Sequence, residues 1–345
     1  MRLIREADLN GKKVLVRADL DVPIEKGIVG EDYRLKALLP TLKYLLENGA
    51  SVLIIGHLGR PEGKPDPALS LEPVAKRLSE LLGQKIKFSP DYSLITNHNR
   101  EIARFGVTKP SYSLAMLENL RFWPGEEAND LDFAKKLSAL GDIYVNEAFA
   151  SHRAHASIVL VPKLLPSYAG LRLEQEILHL SGVIENPARP LVFILGGAKT
   201  EIKKPLIADF AKIADRVLLG GLLMFDKELE KIPNVVFPVD SADGSDIGPE
   251  TIKLFASITK EAKTVVWNGP LGIWEDNRFE LGTRAIAEEL ALLPGKTIVG
   301  GGDTIAAISA FGLLDKMSYV SLGGGAMLEF LAGKKLPALA ALGYY

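Results

Sequence analysis

The chain contains no cysteine. That excludes disulfides, thiolate metal centres and a cysteine nucleophile. A strong charge of either sign is also missing. The net charge of -2 offers no bulk field for nucleic acid or an anionic membrane surface, so neither is expected as a partner. No apolar run is long enough to span a membrane, and the opening MRLIREADLNGKK lacks the apolar core of a signal peptide. A cytoplasmic protein is the default expectation. Two phosphate-binding signatures are absent as well. No G-x-G-x-x-G occurs at the glycine turns. Gly295-Lys296-Thr297 has the tail of a Walker A motif, but residue 290 is Leu and the segment leads into a strand. His152 and His155 lack a third partner at ligand spacing, so a capping or anion-binding role is expected rather than zinc. His98 and His179 sit in no motif and read as surface residues.

What the chain does have is clustered glycine in its second half. Gly196-Gly197-Ala198-Lys199, Gly300-Gly301-Gly302-Asp303-Thr304 and Gly323-Gly324-Gly325-Ala326 each follow an apolar run and precede a helix-like segment. A strand that turns through bare glycines into a helix aims backbone N–H groups and a helix dipole at one spot, which favours an anion. One such triplet is explained by a tight turn alone. Three of them, one with a lysine and one with an aspartate, point to a polyphosphate seat.

The 345 residues suggest two domains, and the alternation of short apolar runs with amphipathic stretches suggests their type. Strands are expected over 14–16, 52–55, 85–88, 113–117 and 143–145. After Pro190 the series restarts over 191–195, 217–219, 235–239, 264–267, 297–299 and 319–322. Helices are expected over 34–47, kinked at or beginning near Pro40, and over 71–82, ended by Gly83. Apolar strands separated by helices predict an α/β protein of two Rossmann-like, doubly wound parallel sheets covered on both faces. A helical segment flanked by Pro166 and Pro187 reads as the connector. The expected organisation is therefore 1–168 as the first domain, 169–186 as the connecting helix and 187–333 as the second domain. The tail 334–345 is too short to stand alone and is expected to dock on the first domain.

In the first half the strand ends carry different residues. Arg17-Ala18-Asp19-Leu20-Asp21, His57-Leu58-Gly59-Arg60, Glu118-Asn119-Leu120-Arg121 and Ser151-His152-Arg153 all follow strands, and Arg34 opens the first helix. The carboxyl ends of parallel strands share one edge, where ligands bind. Arg60, Arg121 and Arg153 should converge there, with His57 and Arg34 nearby. Arginine forks grip phosphate and carboxylate, so a small substrate bearing both groups is expected.

In order, VLVRADLDVP, HLGRP, ENLRF, YVNEAFASHRAHAS, LGGAKTEIKK, DIGPET, WNGPLGIWE, GGGDT, GGGA and GKKLP resemble phosphoglycerate kinase almost end to end. The resemblance implies a hinged two-domain monomer. It transfers a phosphoryl group between ATP-Mg and the carboxylate of 3-phosphoglycerate, giving ADP and 1,3-bisphosphoglycerate in glycolysis and gluconeogenesis. It assigns the acid substrate to Asp19, Asp21, Arg34, His57, Arg60, Arg121 and Arg153. The nucleotide falls to Gly196, Gly197, Ala198, Lys199, Lys203, Gly221, Asn268, Pro270, Glu275, Gly300, Gly301, Gly302, Asp303 and Thr304. Glu275 would hold the ribose and Asp303 the magnesium. Arg34, Lys199, Lys203, Gly324 and Gly325 would serve the transfer itself. The chain also departs from the family pattern. Asp21 stands where Asn is usual, with pairing to a neighbouring arginine such as Arg34 expected ahead of proton uptake, and a turn to solvent or a capping role the alternative. Glu147 replaces Asp, Leu322 replaces Thr, and the turn before His152 is one residue short. The stretch 221–246 is much shorter than the family's, which thins the adenine side of the nucleotide site.

Overall fold

The computed structural model describes residues 1–90 and 112–345; His98 lies outside them. The runs rich in Val, Leu and Ile become strands, and the inner strands are buried on both faces, unlike the edge strands 87–89 and 235–236. β1 (Lys13–Arg17), β2 (Ser51–Ile55), β3 (Lys87–Ser89), β4 (Leu114–Leu117), β5 (Ile143–Asn146) and β6 (Ser167–Ala169) form a parallel sheet of order β3-β4-β2-β1-β5-β6. β1 lies at its centre, with Val14 opposite both Val52 and Ile143. Val14, Leu15 and Val16 are fully buried, as a helix-covered parallel sheet requires. The second sheet comprises β7 (Leu191–Leu195), β8 (Arg216–Leu219), β9 (Val235–Val236), β10 (Thr264–Asn268), β11 (Lys296–Gly300) and β12 (Tyr319–Ser321). Its order is β9-β8-β7-β10-β11-β12, again all parallel. The strand order reverses between β1 and β5 in the first sheet and between β7 and β10 in the second. Those reversals open the crevices in which doubly wound folds bind ligands.

Among the described residues the chain divides into two units, Met1–Gln175 with Lys335–Tyr345, and Glu176–Lys334. The first carries α1 (Tyr33–Glu47), α2 (Glu72–Leu82), α3 (Pro124–Glu127), α4 (Leu131–Ser138), a π-helical turn (Ala156–Leu160) and α5 (Val161–Leu164). The division falls inside α6 (Leu171–Glu185). The second unit carries α7 (Thr200–Ile213), α8 (Pro249–Glu261), α9 (Leu281–Leu292), α10 (Gly302–Ala310) and α11 (Gly325–Leu331). The tail forms α12 (Pro337–Ala341), whose Ala338 packs with Ile158 and Val159, while the terminal amine of Met1 donates to the carbonyl of Gly343.

The expected helix over 34–47 is found as α1, which runs on both sides of Pro40 rather than beginning there; that proline lies on the exposed face, where the carbonyl left without a partner meets water. Two local expectations are corrected. The strand expected over 235–239 stops at Val236; Pro238 has no N–H to give a ladder. His179 is half-buried, its ring stacked 4.0 Å from that of Tyr319. No helix among the described residues is long and apolar enough to cross a membrane.

Candidate active site

The strand ends of the first unit surround a basin of about 220 Å³, lined by Asp21, His57, Gly59, Arg60, Arg121, Ala150, Ser151, His152, Arg153 and His155. The three arginines expected to converge do so. Arg121 is held from below, its Nη1 donating to the carbonyl of Gly59 at 2.6 Å. Arg60 and Arg153 are exposed at the rim of the basin. Asp19 and Arg34 do not line the basin but pair with each other at its edge, and Asp19 is the main reason the Arg34 pKa is raised. Asp21 does line the basin. Its partner is the N–H of Gly59, which donates to Oδ1 at 3.0 Å. The Arg34 guanidinium bonds the buried Asp19, while the Asp21 charge acts on both Arg34 and Arg121 without a hydrogen bond to either.

The basin is electrostatically positive, and its histidines answer to that. Burial, then Arg17 and Arg121, hold His57 well below its ordinary pKa. Burial and the same two arginines bring His155 down to about 4. Both rings are thus neutral hydrogen-bonding groups at physiological pH, while the arginines carry the charge.

In the second unit a cleft of about 370 Å³ opens at the β7/β10 reversal. It is lined by Gly197, Ala198, Gly221, Leu222, Gly244, Ser245, Pro270, Gly272, Ile273, Trp274, Glu275 and Asp303. The turns after β7 and β10 touch backbone to backbone. The N–H of Gly196 donates to the carbonyl of Asn268 at 3.1 Å and that of Gly197 to Pro270 at 2.7 Å. A Cβ at Gly196 would collide with the carbonyl oxygen of Pro270. This corrects one expectation: the glycines at 196 and 197 serve close approach, and their N–H groups are already used. The turn into α10 is different. Gly301, at φ +94°, precedes the helix without a capping side chain, so the N–H groups of Gly302, Asp303 and Thr304 open the helix toward a ligand.

Lys203 lies under the first of these turns. Its Nζ donates to the carbonyls of Gly196 and, at 3.3 Å, Asn268. Burial pushes its pKa down to about 8, opposed by nearby Asp303. Asn268 is buried with Nδ2 unpartnered, close to Gly301. Thr304 Oγ1 accepts from the N–H of Gly269 at 2.6 Å. Lys199, at the N-cap position of α7, is exposed. Gly300 ends β11 beside Ser321. Gly324 and Gly325 open α11 after β12 and are not among the cleft's lining residues. Sequence reasoning missed Gly59, Gly244 and Ser245, which present mainly backbone, and Trp274, whose buried Nε1 has no partner.

Comparison with known proteins gives a consistent result. The family model described as phosphoglycerate kinase matches residues 4–227 and 226–334, two segments that meet inside the short 221–246 stretch. The chain is 41% identical to the phosphoglycerate kinase of Fervidobacterium nodosum over 394 aligned positions. These cover 98% of this chain and 97% of the relative, and the alignment is longer than the chain itself because residues are missing here. Among solved structures, the phosphoglycerate kinase of Coxiella burnetii superposes with a TM-score of 0.83 at 35% identity, and that of Pyrococcus horikoshii with 0.87 at 31%. Each match covers 99% of this chain and 98% of the other.

Proposed function

The chain belongs to the phosphoglycerate kinase family, and from that premise we propose that its first-unit basin seats 3-phosphoglycerate and its second-unit cleft seats ATP or ADP with magnesium. The enzyme is a kinase whose acceptor is a carboxyl group, with a glycolytic role. One observation carries the assignment of seats. Each lies at the strand-order reversal of its own sheet, one ringed by Arg60, Arg121 and Arg153, the other by glycine turns with Asp303.

Arg60, Arg121 and Arg153 would grip the phosphate of the acid, with His57 adding a hydrogen bond. Arg34, oriented by Asp19, would face the carboxylate that receives the phosphoryl group. That carboxylate is ionised at neutral pH, so no general base is needed, and charge neutralisation and in-line placement supply the catalysis. In the second unit Asn268 Nδ2 and the open first turn of α10 fit phosphate oxygens, and Glu275 on the rim fits a ribose. The described residues contain no cluster of three acidic or histidine ligands. Asp303 would therefore hold magnesium together with phosphate oxygens and water, the usual way this ion binds a nucleotide. When bound, the ion neutralises charge on the β- and γ-phosphates. Lys199, exposed at the mouth of the first turn, would meet the travelling phosphoryl group. A coupled assay with ATP, magnesium and 3-phosphoglycerate tests the reading. No turnover from a folded chain would overturn it.

A further inference from the structure

A buried chain of hydrogen bonds runs beneath the basin, through residues that the substrate assignment leaves unused. Arg17, at the end of β1, is 1% exposed. Its Nη2 lies 2.8 Å from Nδ1 of His57. A guanidinium has donors only, so Nδ1 must be the acceptor and the ring proton must sit on Nε2. The same guanidinium donates through Nε to Ser157 Oγ at 2.9 Å and through Nη1 to the carbonyl of Ala18 at 2.5 Å. Ser157 has one hydroxyl proton, and it is given to Glu126 Oε1 at 2.6 Å. The N–H of Ser157 donates to the other carboxyl oxygen at 2.9 Å. The hydroxyl of Tyr144 fixes the Ser157 carbonyl at 2.8 Å. Glu126 is completely buried, in α3. Four elements distant in sequence thus converge to hold one guanidinium in one orientation.

We propose that Arg17, anchored by Ser157 and Glu126, is a positioning residue that locks His57 in the Nε2–H tautomer, so that the basin meets the substrate's phosphate with a neutral, directed donor. This rests on the assignment of the basin to 3-phosphoglycerate. The arrangement has a physical rationale. A histidine that was free to rotate could offer the anion a lone pair in half of its states. With Nδ1 committed to Arg17, Nε2 is the nitrogen left for a ligand, and it can only donate. The cations facing His57 are Arg17, Arg121 and Arg34, with neutral His155 also beside it and Asp21 lining the same basin. They resist protonation of the ring, so its role does not change across the physiological range.

The test is ring-nitrogen NMR on protein labelled with ¹⁵N-histidine, the His57 signals being identified by their loss in His57→Gln. The expected result is an unprotonated Nδ1 and a protonated Nε2 between about pH 6 and pH 8, without titration. A protonated Nδ1, or titration near the ordinary histidine value, overturns the proposal. In Ser157→Ala the anchor is lost while the backbone bond to Glu126 survives. The His57 signals should then show mixed tautomers. KM for 3-phosphoglycerate should rise about threefold to tenfold, the worth of one hydrogen bond, with kcat and KM for ATP changing less. Unchanged signals and KM in Ser157→Ala overturn the proposal. So does Arg17→Lys if it retains the parent's signals and KM, because charge alone would then suffice. If Arg17→Lys does not fold, the parent spectrum and Ser157→Ala decide. The tautomer is read without ligand. A basin that proved to bind a different anion would fail the coupled assay yet leave the NMR result standing.

Discussion

Lys199 and Lys203 sit four residues apart and do different work. Lys203 is buried and committed to the carbonyls of Gly196 and Asn268, so its removal would disturb the turn that shapes the cleft. Lys199 is exposed and has no such commitment. A cation that meets the phosphoryl group chiefly in the transition state should show itself in kcat. Lys199→Ala is expected to lower kcat by roughly a hundredfold with little change in either KM; a kcat within a few-fold of the parent removes Lys199 from the reaction. Asp21 is the opposite case, a negative side chain in a basin built for anions. Its bond from the N–H of Gly59 needs only one oxygen, which Asn also supplies. Asp21→Asn should keep the loop and remove the repulsion, lowering KM for 3-phosphoglycerate by about twofold to fivefold, the range that exposed charge pairs span. A raised KM would mean that the carboxylate orders the site. Legibility also divides at this scale. Arg60, Arg121 and Arg153 could be read from the sequence because a parallel sheet puts its strand ends on one edge. Arg17, Ser157 and Glu126 could not, because a buried network joining residues up to 140 positions apart leaves no local pattern.

At the scale of elements the clearest device is the start of α6. A helix leaves its first N–H groups without intrahelical partners. Here the N–H of Leu171 donates to Thr41 Oγ1 at 3.1 Å, that of Arg172 to Glu147 Oε1 at 3.2 Å and that of Leu173 to Glu147 Oε2 at 2.9 Å. The hydroxyl of Thr41 donates back to Glu147. Gly170 leaves the room, since a Cβ there would strike the Glu147 carboxyl. Glu147 is therefore a cap, reaching from the end of β5. Burial pushes its pKa up to about 7 against the donors that pull it down. A folded-state value raised above the unfolded one gives stability that is full below about pH 4.5 and lost as pH rises through about 7. In Glu147→Gln that dependence disappears. Between pH 5 and pH 8 the parent should lose up to about 3 kcal/mol relative to the variant in chemical unfolding. Parallel pH profiles would show that the carboxyl is ionised throughout. The helices themselves were legible from their apolar spacing. The glycine that ends α2, Gly83, was legible too, but the cap of α6 was not, because Thr41 and Glu147 lie far from residue 171 in sequence.

At the scale of the molecule, the basin and the cleft each lie in a compact unit with its own parallel sheet, so residues can be lost from one edge of the second sheet while the first keeps its strands. The loss falls between Gly221 and Asp246. There the chain makes only two short 3-10 turns, Gly221–Phe225 and Lys227–Lys231, the stub β9 and a small ribbon pairing Ser241–Ala242 with Asp246–Ile247. The family's two-sheet plan was legible because eleven of the twelve sheet strands stand as apolar runs between helical stretches; the short edge strand β6 (Ser167–Ala169) has no such run and was not expected. The effect of the shortening was legible only as an absence, and the structure supplies what remains. Away from Glu275 and Asp303, the cleft offers Leu222 and Ile273, both about half exposed, glycine backbone, and two polar side-chain groups, the Ser245 hydroxyl and the unpartnered Nε1 of Trp274. Apolar surface accepts the face of any purine, whereas strong rejection requires buried polar groups that the wrong base leaves unpaired. On the proposed phosphate side Asn268 Nδ2, Asp303 and the open turn of α10 remain, over a turn braced by Lys203, so nucleotide affinity should rest on the phosphates. The ratio of kcat/KM for ATP to that for GTP is therefore expected to fall within roughly tenfold. It should be smaller than the ratio measured in parallel for the longer Fervidobacterium nodosum relative. An adenine preference equal to that relative's would place base recognition in Ser245 and the backbone at Gly221 and Gly244, and the shortening would then carry no cost in specificity.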